Sequence, residues 1–364
     1  MVAWNARRRS EEADEVKRKT EVPLDRRHFV TAAAAVFGAP LVSAQTAPQR
    51  SIVPSAMPPL PPDQITLPAR PKCGTLPPVK IMRFGINTFL FTSPFNTGGC
   101  RLFPQFKKWG FDTVEIPVED PAHIDTAKVK VAAQEARIAI GSLCACMGPG
   151  RDFRGTNEEQ KTAMDYCTKL VDQAVELGCP SIIGPLYSVV GKADAVEPKQ
   201  QAKEFALVVK NLKQLAEYAA AKGILLCVEP LNRFETDFLN TTAQGLRLIK
   251  AVGSPVLKLH LDTFHMNIEE KDQAEAIRRA GKLLGHFHAC GTDRGTPGND
   301  SLQWAPIVKA LRDIKYTGDV VIESFTTDVK VIARAAAIWR RIEPTRNEIA
   351  VNGLKNLHKF FGKK

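Results

Sequence analysis

The sequence lacks three features, each of which would have pointed to a particular kind of protein. It has no block of Lys and Arg with interleaved aromatic residues, and no G-x-G-x-x-G motif follows the first predicted strand. Cys144 and Cys146 have no partner pair at the spacing of a zinc site. These absences argue against a dedicated nucleic-acid binder, a dinucleotide-binding domain and a structural zinc site, in that order.

The positive net charge is not evidence for a nucleic-acid partner. The 364 residues carry a formal charge of +11, but residues 1–80 contain 12 Lys and Arg against 7 Asp and Glu, which leaves +6 for residues 81–364. That excess is modest for a segment of this length. The apolar fraction of 44% and the charged fraction of 24% are those of a globular protein. We therefore expect a small-molecule ligand.

The first 80 residues are predicted to hold an export signal and a spacer. The paired arginines Arg26 and Arg27 precede an Ala-rich run from Phe29 to Val42, and small residues follow it. The run is too short to span a bilayer, so the pattern predicts a twin-arginine signal peptide over 1–44. The Pro-rich segment 45–80 is predicted to be a linker. Together they predict a periplasmic protein without stable membrane association after cleavage.

Residues 81–364 alternate short apolar runs with longer amphipathic segments, for example at 158–178 and 197–223. This alternation predicts parallel βαβ units, and eight such runs in one segment favour a single (β/α)₈ TIM barrel over a doubly wound open sheet. The predicted strands span 81–87, 112–117, 138–145, 181–185, 224–230, 256–262, 283–289 and 319–325.

Polar residues stand at the ends of four consecutive predicted strands. Strands five to eight end in Glu229, Asp262, His288 and Glu323. Chemistry in such a barrel gathers at this end of the strands, and three carboxylates placed close together need a cation among them. Three oxygen ligands and one nitrogen ligand favour one divalent ion, Mn²⁺ first, with Mg²⁺ or Co²⁺ as alternatives.

A second set of polar residues follows the same strands. Glu235, His265 and Arg294 are predicted to lie in the loops beyond strands five, six and seven and to grip a polyhydroxylated substrate. The alternative for each is an ordinary surface loop charge. His260 and His286 should point inward one layer deeper, as structural residues or as hydrogen-bonding partners of the ligands.

From about residue 81 to residue 361 the chain resembles the xylose-isomerase-like TIM-barrel sugar epimerases, and most closely the ketose 3-epimerases acting on D-tagatose and D-psicose (allulose). The segments that carry the resemblance are VEPLNRFETDFLNT (228–241), LDTFHMNIEE (261–270), HFHACGTDRGTPG (286–298) and VVIESF (320–325). The LDTxH element is shared with apurinic endonucleases, but strands two and three here end without the histidines of their zinc cluster.

The resemblance implies metal ligation by Glu229, Asp262, His288 and Glu323. It also implies contacts from Glu235, His265 and Arg294 to the O1–O3 end of the sugar, and a homo-oligomer, either a dimer or a tetramer. In the expected reaction, Glu229 and Glu323 remove and return the C3 proton through a cis-enediolate that the metal stabilises. The alternative functions are an aldose–ketose isomerase, an inosose-type dehydratase, a 3-keto-glycoside lyase, or an exported sugar-binding protein without catalysis.

Overall fold

The computed structural model describes residues 82–194 and 196–362. The predicted signal peptide and the predicted linker lie outside these residues. Eight parallel strands form a closed barrel in chain order, because each strand pairs with the next and β8 pairs with β1. The strands are β1 Phe84–Asn87, β2 Thr113–Val118, β3 Ala139–Ala145, β4 Ser181–Gly184, β5 Leu225–Val228, β6 Leu257–Asp262, β7 Leu284–Ala289 and β8 Val320–Ile322.

The closed barrel confirms the predicted fold and rules out the open doubly wound sheet. All eight predicted strands are present. Two of them are shorter than predicted at the end that matters for the site: β5 stops at Val228 and β8 stops at Ile322. Glu229 and Glu323 therefore lie one residue beyond their strands, where the chain turns into the following loop.

Helices surround the barrel. In the described part of the chain they are α1 Phe103–Trp109, α2 Thr126–Ala136, α3 Asn157–Leu177, α4 Pro198–Ala221, α5 Thr242–Val252, α6 Thr263–Glu269, α7 Gln273–Ala280, α8 Trp304–Asp313, α9 Lys330–Ala335 and α10 Arg346–Phe361. No helix within residues 82–194 and 196–362 combines the length and the apolar content that a membrane crossing requires.

Local sequence sets the helix ends. Helix α3 begins at a capping box, in which Thr156 and Glu159 satisfy each other's backbone N–H groups, and ends at Gly178 in the left-handed conformation. The helix therefore begins and ends one residue earlier than the predicted span 158–178. Helix α4 stops at Ala221, two residues before the predicted end at Gly223.

Side chains alternate between the two faces of each strand, and this alternation separates the core from the site. In β6 the side chains of Leu257, Leu259 and Leu261 join the main hydrophobic core, which also contains residues of the surrounding helices. His260 and Asp262 are equally buried but lie on the other face, inside the barrel. The barrel interior is therefore the polar face of strands whose outer face is apolar.

The cysteines behave as small hydrophobic residues. All seven cysteines within the described residues are free, and five of them are buried. Cys144 and Cys227 form a small cluster with Ile183 inside the barrel, apart from the main core. Buried free thiols of this kind pack as small apolar side chains.

Candidate active site

The structure brings the predicted metal ligands together at the carboxyl ends of β5 to β8. Glu229, Asp262, His288 and Glu323 are each at most 7% exposed. Asp262, His288 and Glu323 offer ligand atoms that all lie within 4.8 Å of one another, and Glu229 forms a similar group with Asp262 and His265. The four side chains thus share one buried pocket at the end of the barrel where TIM-barrel chemistry takes place.

Unpaired buried atoms show that this pocket suits a cation. Within the described residues, Oε1 of Glu229 and Nδ1 of His288 are buried and have no hydrogen-bond partner. Buried polar atoms normally find a partner, and a bound ion would give one to these two atoms once the ring of His288 is neutral. Carboxylate oxygens with one imidazole nitrogen are a donor set for a divalent metal. The residues present therefore fit the predicted ion.

The three carboxyl groups have different proton affinities. Burial raises the pKa of Glu229 well above its usual range; the carboxylates of Glu323 and Asp262 add to the rise, although His288 opposes it. Burial also raises the pKa of Asp262, to about 6. The pKa of Glu323 is lowered instead, because the positive charges of His288 and Arg294 outweigh the effect of burial. The site therefore holds an acid and a base at once.

Arg294 is fixed beside the acidic groups. Its Nη1 donates to Oδ2 of Asp262 at 2.7 Å and to Oε2 of Glu323 at 3.0 Å. The guanidinium carbon lies 3.9 Å from the ring centroid of Phe264 and 4.8 Å from that of Phe325. Two aromatic faces hold this cation at the centre of the pocket and restrict its rotation. Its backbone has a φ of 66°, which turns the loop back toward the barrel.

His265 is buried next to Arg294, but not in a loop as the sequence had suggested. It lies in the first turn of α6, because Asp262 caps that helix by accepting from the backbone N–H of Phe264 at 2.9 Å. Nδ1 of His265 accepts from the backbone N–H of Asn232 at 3.0 Å. Burial, with the nearby charge of Arg294, lowers the pKa of His265, which favours the neutral ring. Its Nε2 lies 3.1 Å from Nη2 of Arg294, which can only donate, and 3.8 Å from Oε1 of Glu229, so both ring nitrogens face donors.

Glu235 lies at the rim of the same pocket, in the loop after β5 as predicted. Its Oε1 accepts from Nδ2 of Asn232 at 2.7 Å and lies 4.0 Å from Nη2 of Arg294. Asn232 therefore holds both Glu235 and His265, through its side chain and its backbone. It was missed at the sequence level, because an asparagine in a loop carries no pattern of its own.

Glu115 is the other important residue that the sequence analysis missed. It belongs to β2, is fully buried, and lies directly beneath the predicted ligand His288, whose Nε2 is 2.8 Å from its Oε1. His286 and His260 surround the same point and are buried inside the barrel, as predicted. An acidic residue in the apolar sequence TVEIPV was an available signal, but it stands in mid-strand and not at a strand end.

The fold and the site define a TIM-barrel protein with a candidate metal centre at the carboxyl ends of its strands. The sequence profile described as "Xylose isomerase-like TIM barrel" matches residues 103–349. The chain therefore belongs to the xylose isomerase-like TIM barrel family.

Similar proteins narrow this placement and confirm the resemblance to ketose 3-epimerases. A probable ketose 3-epimerase of Synechocystis sp. is 35% identical over 281 residues, which cover 77% of this chain and 97% of the relative. A D-psicose 3-epimerase of Agrobacterium fabrum is 35% identical over 236 residues, covering 64% of this chain and 81% of the relative. The crystal structure of D-allulose 3-epimerase from Methylomonas sp. with D-allulose superposes with a TM-score of 0.72 at 28% identity, covering 77% and 97% of the two chains.

Proposed function

We propose that this protein is a metal-dependent ketose 3-epimerase, an isomerase that inverts carbon 3 of a free ketose. The observation that carries the proposal is the pair of buried glutamates, Glu229 and Glu323, which follow strands three apart around the barrel and both lie beside Asp262 in the candidate metal centre. Epimerisation needs one group to take a proton and a second group to give one. The relatives named as ketose and psicose 3-epimerases support the same class of reaction.

In the proposed reaction the two glutamates share the proton transfers. They follow β5 and β8, which are three strands apart around the closed barrel, so they enter the pocket from different directions. One glutamate would remove the C3 proton from its face of the substrate, and the other would return a proton to the opposite face. In the reverse direction the roles exchange.

The remaining polar residues orient the sugar. Arg294 supplies donors beside the carboxylates, where it can hold the oxygens at carbons 1 and 2 as negative charge develops, and the ring of His265 lies against it at 3.1 Å. Glu235 is placed to accept from a hydroxyl group at the rim. Glu229, Asp262, His288 and Glu323 would hold a divalent ion, which would supply a Lewis acid for the negative charge that develops on the substrate.

The direct test is a panel of ketoses with the metal varied. D-Fructose, D-tagatose, D-allulose and L-ribulose are each incubated with EDTA-treated protein to which Mn²⁺, Mg²⁺ or Co²⁺ has been added back. Chromatography of the products should show the C3 epimer of at least one sugar, with Mn²⁺ the most effective metal. A product with an aldehyde, a dehydrated product or a cleaved 3-keto-glycoside would instead assign the site to an aldose–ketose isomerase, a dehydratase or a lyase.

A sugar-binding protein without catalysis is the competing function of a different kind. It would bind a ketose without exchanging its C3 hydrogen, so deuterium uptake from D₂O into the bound sugar separates the two. The buried pair of displaced glutamates favours the enzyme, because binding alone gains nothing from an acid and a base in one pocket.

Export and assembly are further parts of the proposal. We propose that Arg26 and Arg27 direct the chain to the periplasm by the twin-arginine route. Replacing both with Lys should keep the protein in the cytoplasm, as cell fractionation would show, while unchanged export would contradict this route. We also propose a homo-oligomer, as the family resemblance implies, and light scattering should give a mass of two or four chains.

A further inference from the structure

Glu115 is the most heavily hydrogen-bonded carboxylate near the candidate metal centre, and the proposed reaction does not use it. Its Oε1 accepts from Nδ2 of Asn87 at 2.7 Å and lies 2.8 Å from Nε2 of His288. Its Oε2 accepts from Oγ of Ser142 at 2.5 Å and lies 2.9 Å from Nε2 of His286. These four neighbours come from three different strands of the barrel, β1, β3 and β7, and converge on one side chain that solvent does not reach.

The contact with His288 determines which nitrogen of that ring can bind a metal. An ionised carboxylate only accepts, so the 2.8 Å contact requires a proton on Nε2 of His288. The other nitrogen, Nδ1, is buried, has no hydrogen-bond partner among the described residues, and lies 3.5 Å from Oε2 of Glu323. With Nε2 protonated, Nδ1 is the nitrogen that faces the predicted ligands, and it offers a lone pair to a metal when the ring is neutral.

We propose that Glu115 is a positioning residue: it holds the proton of His288 on Nε2 and thereby directs the Nδ1 lone pair to the metal. The inference rests on the metal site of the proposed function, which it deepens by naming the group that orients one of the ligands. A carboxylate behind a ligating imidazole fixes the ring and increases its basicity, and removing such a partner typically weakens metal binding 10- to 100-fold.

A purely structural Glu115 would behave differently. In that case the carboxylate only satisfies four buried donors, and its loss lowers thermal stability without changing the affinity for metal once the protein is folded. Metal affinity and thermal stability must therefore be measured on the same variants. Affinity is the decisive quantity, because it reports on His288 without requiring the sugar reaction.

The experiment compares Glu115→Gln with Ser142→Ala. The first removes the charge behind His288 at nearly constant shape, whereas the second removes one hydrogen bond to the other oxygen and leaves the contact with His288 in place. Titration of EDTA-treated full-length protein with Mn²⁺ should give a dissociation constant raised about 10- to 100-fold in Glu115→Gln. It should change by less than about twofold in Ser142→Ala, even if both variants melt earlier.

Equal affinities in Glu115→Gln and the unmodified protein, with only the melting temperature lowered, would overturn the proposal. If Glu115→Gln does not fold, Glu115→Asp serves instead, because it keeps the charge but draws it back by one methylene. The affinity of Glu115→Asp for Mn²⁺ should fall measurably, and an unchanged Mn²⁺ affinity would also overturn the proposal. A protein that binds metal as predicted yet epimerises no ketose would refute the proposed function and leave the role of Glu115 intact.

Discussion

Replacing Asp262 by Asn should stabilise the metal-free protein while impairing its metal site. Asp262 is 1% exposed, and burial raises its pKa from the usual 3.8 to about 6. Ionising it at neutral pH therefore costs the folded state about 3 kcal/mol, which Asn does not incur. Asn retains a carbonyl oxygen that can accept from the backbone N–H of Phe264, as Oδ1 of Asp262 does at 2.9 Å, so the cap of α6 is preserved. Its amide nitrogen then faces Nη1 of Arg294, which donates to Oδ2 of Asp262 at 2.7 Å, and this lost contact offsets part of the gain equally at both pH values.

The pH dependence of this gain follows from the direction of the shift. A carboxyl group whose pKa is raised by folding contributes most to stability when it is protonated, and that contribution is lost as the pH rises through about 6. The advantage of Asp262→Asn should thus be up to about 3 kcal/mol at pH 7.5 and about 1 kcal/mol at pH 4.5. Urea denaturation of EDTA-treated proteins at both pH values measures it.

Adding metal should make the unmodified protein more stable than Asp262→Asn. At a Mn²⁺ concentration 100 times its dissociation constant, the unmodified protein gains about 2.7 kcal/mol, whereas Asp262→Asn, with one ligand charge lost, gains much less. The raised pKa of Asp262 predicts that the stability of metal-free Asp262→Asn relative to the unmodified protein rises by about 2 kcal/mol from pH 4.5 to pH 7.5. A stability difference that does not change with pH would contradict it.

Four further outcomes are expected. Glu323→Gln at saturating metal should slow C3 proton exchange by about 100- to 10,000-fold, and full exchange would exclude the two-glutamate scheme. Mn²⁺ affinity, measured by titration calorimetry, should weaken as the pH falls from 7.5 to 5, because protons compete for Asp262 and Glu229; a flat profile would contradict their raised pKa values. Arg294→Lys should raise the KM for the sugar about tenfold or more in steady-state assays, since Lys cannot reproduce the planar contacts with two phenylalanines; an unchanged KM would argue against substrate contact. Leu259→Ala, in the fully buried outer face of β6, should lower the free energy of unfolding by about 2–5 kcal/mol in urea, and a loss below 1 kcal/mol would contradict the packing.

The strands and the cluster of candidate metal ligands could be predicted from the sequence, because both follow from short-range patterns of apolar and polar residues. In β6, leucines alternate with polar residues that include His260 and Asp262. Because side chains alternate between the two faces of a strand, these polar residues lie together inside the barrel. Parallel strands in a closed barrel then bring their carboxyl ends to one mouth. Glu229 and Glu323 were placed correctly in space even though each lies one residue past its strand.

Residues whose roles depend on contacts with residues far away in the sequence could not be predicted in the same way. Glu115 is separated from His288 by 173 positions, and only the closure of the barrel brings β2 opposite β7. Asn232 is recognised by what its backbone N–H and side chain touch, which no local pattern encodes. His265 was expected in a loop because the apolar run ends at Asp262, but the aspartate caps a short helix there.

The proposed function is tested most directly by the fate of the C3 hydrogen. The Mn²⁺-loaded protein is incubated in D₂O with D-fructose and with D-allulose, and the recovered sugars are analysed by chromatography and NMR. The proposed function predicts that each sugar gives its C3 epimer with one deuterium at C3 and none at C1. Deuterium at C1, an aldose product, or sugars recovered without deuterium would contradict it.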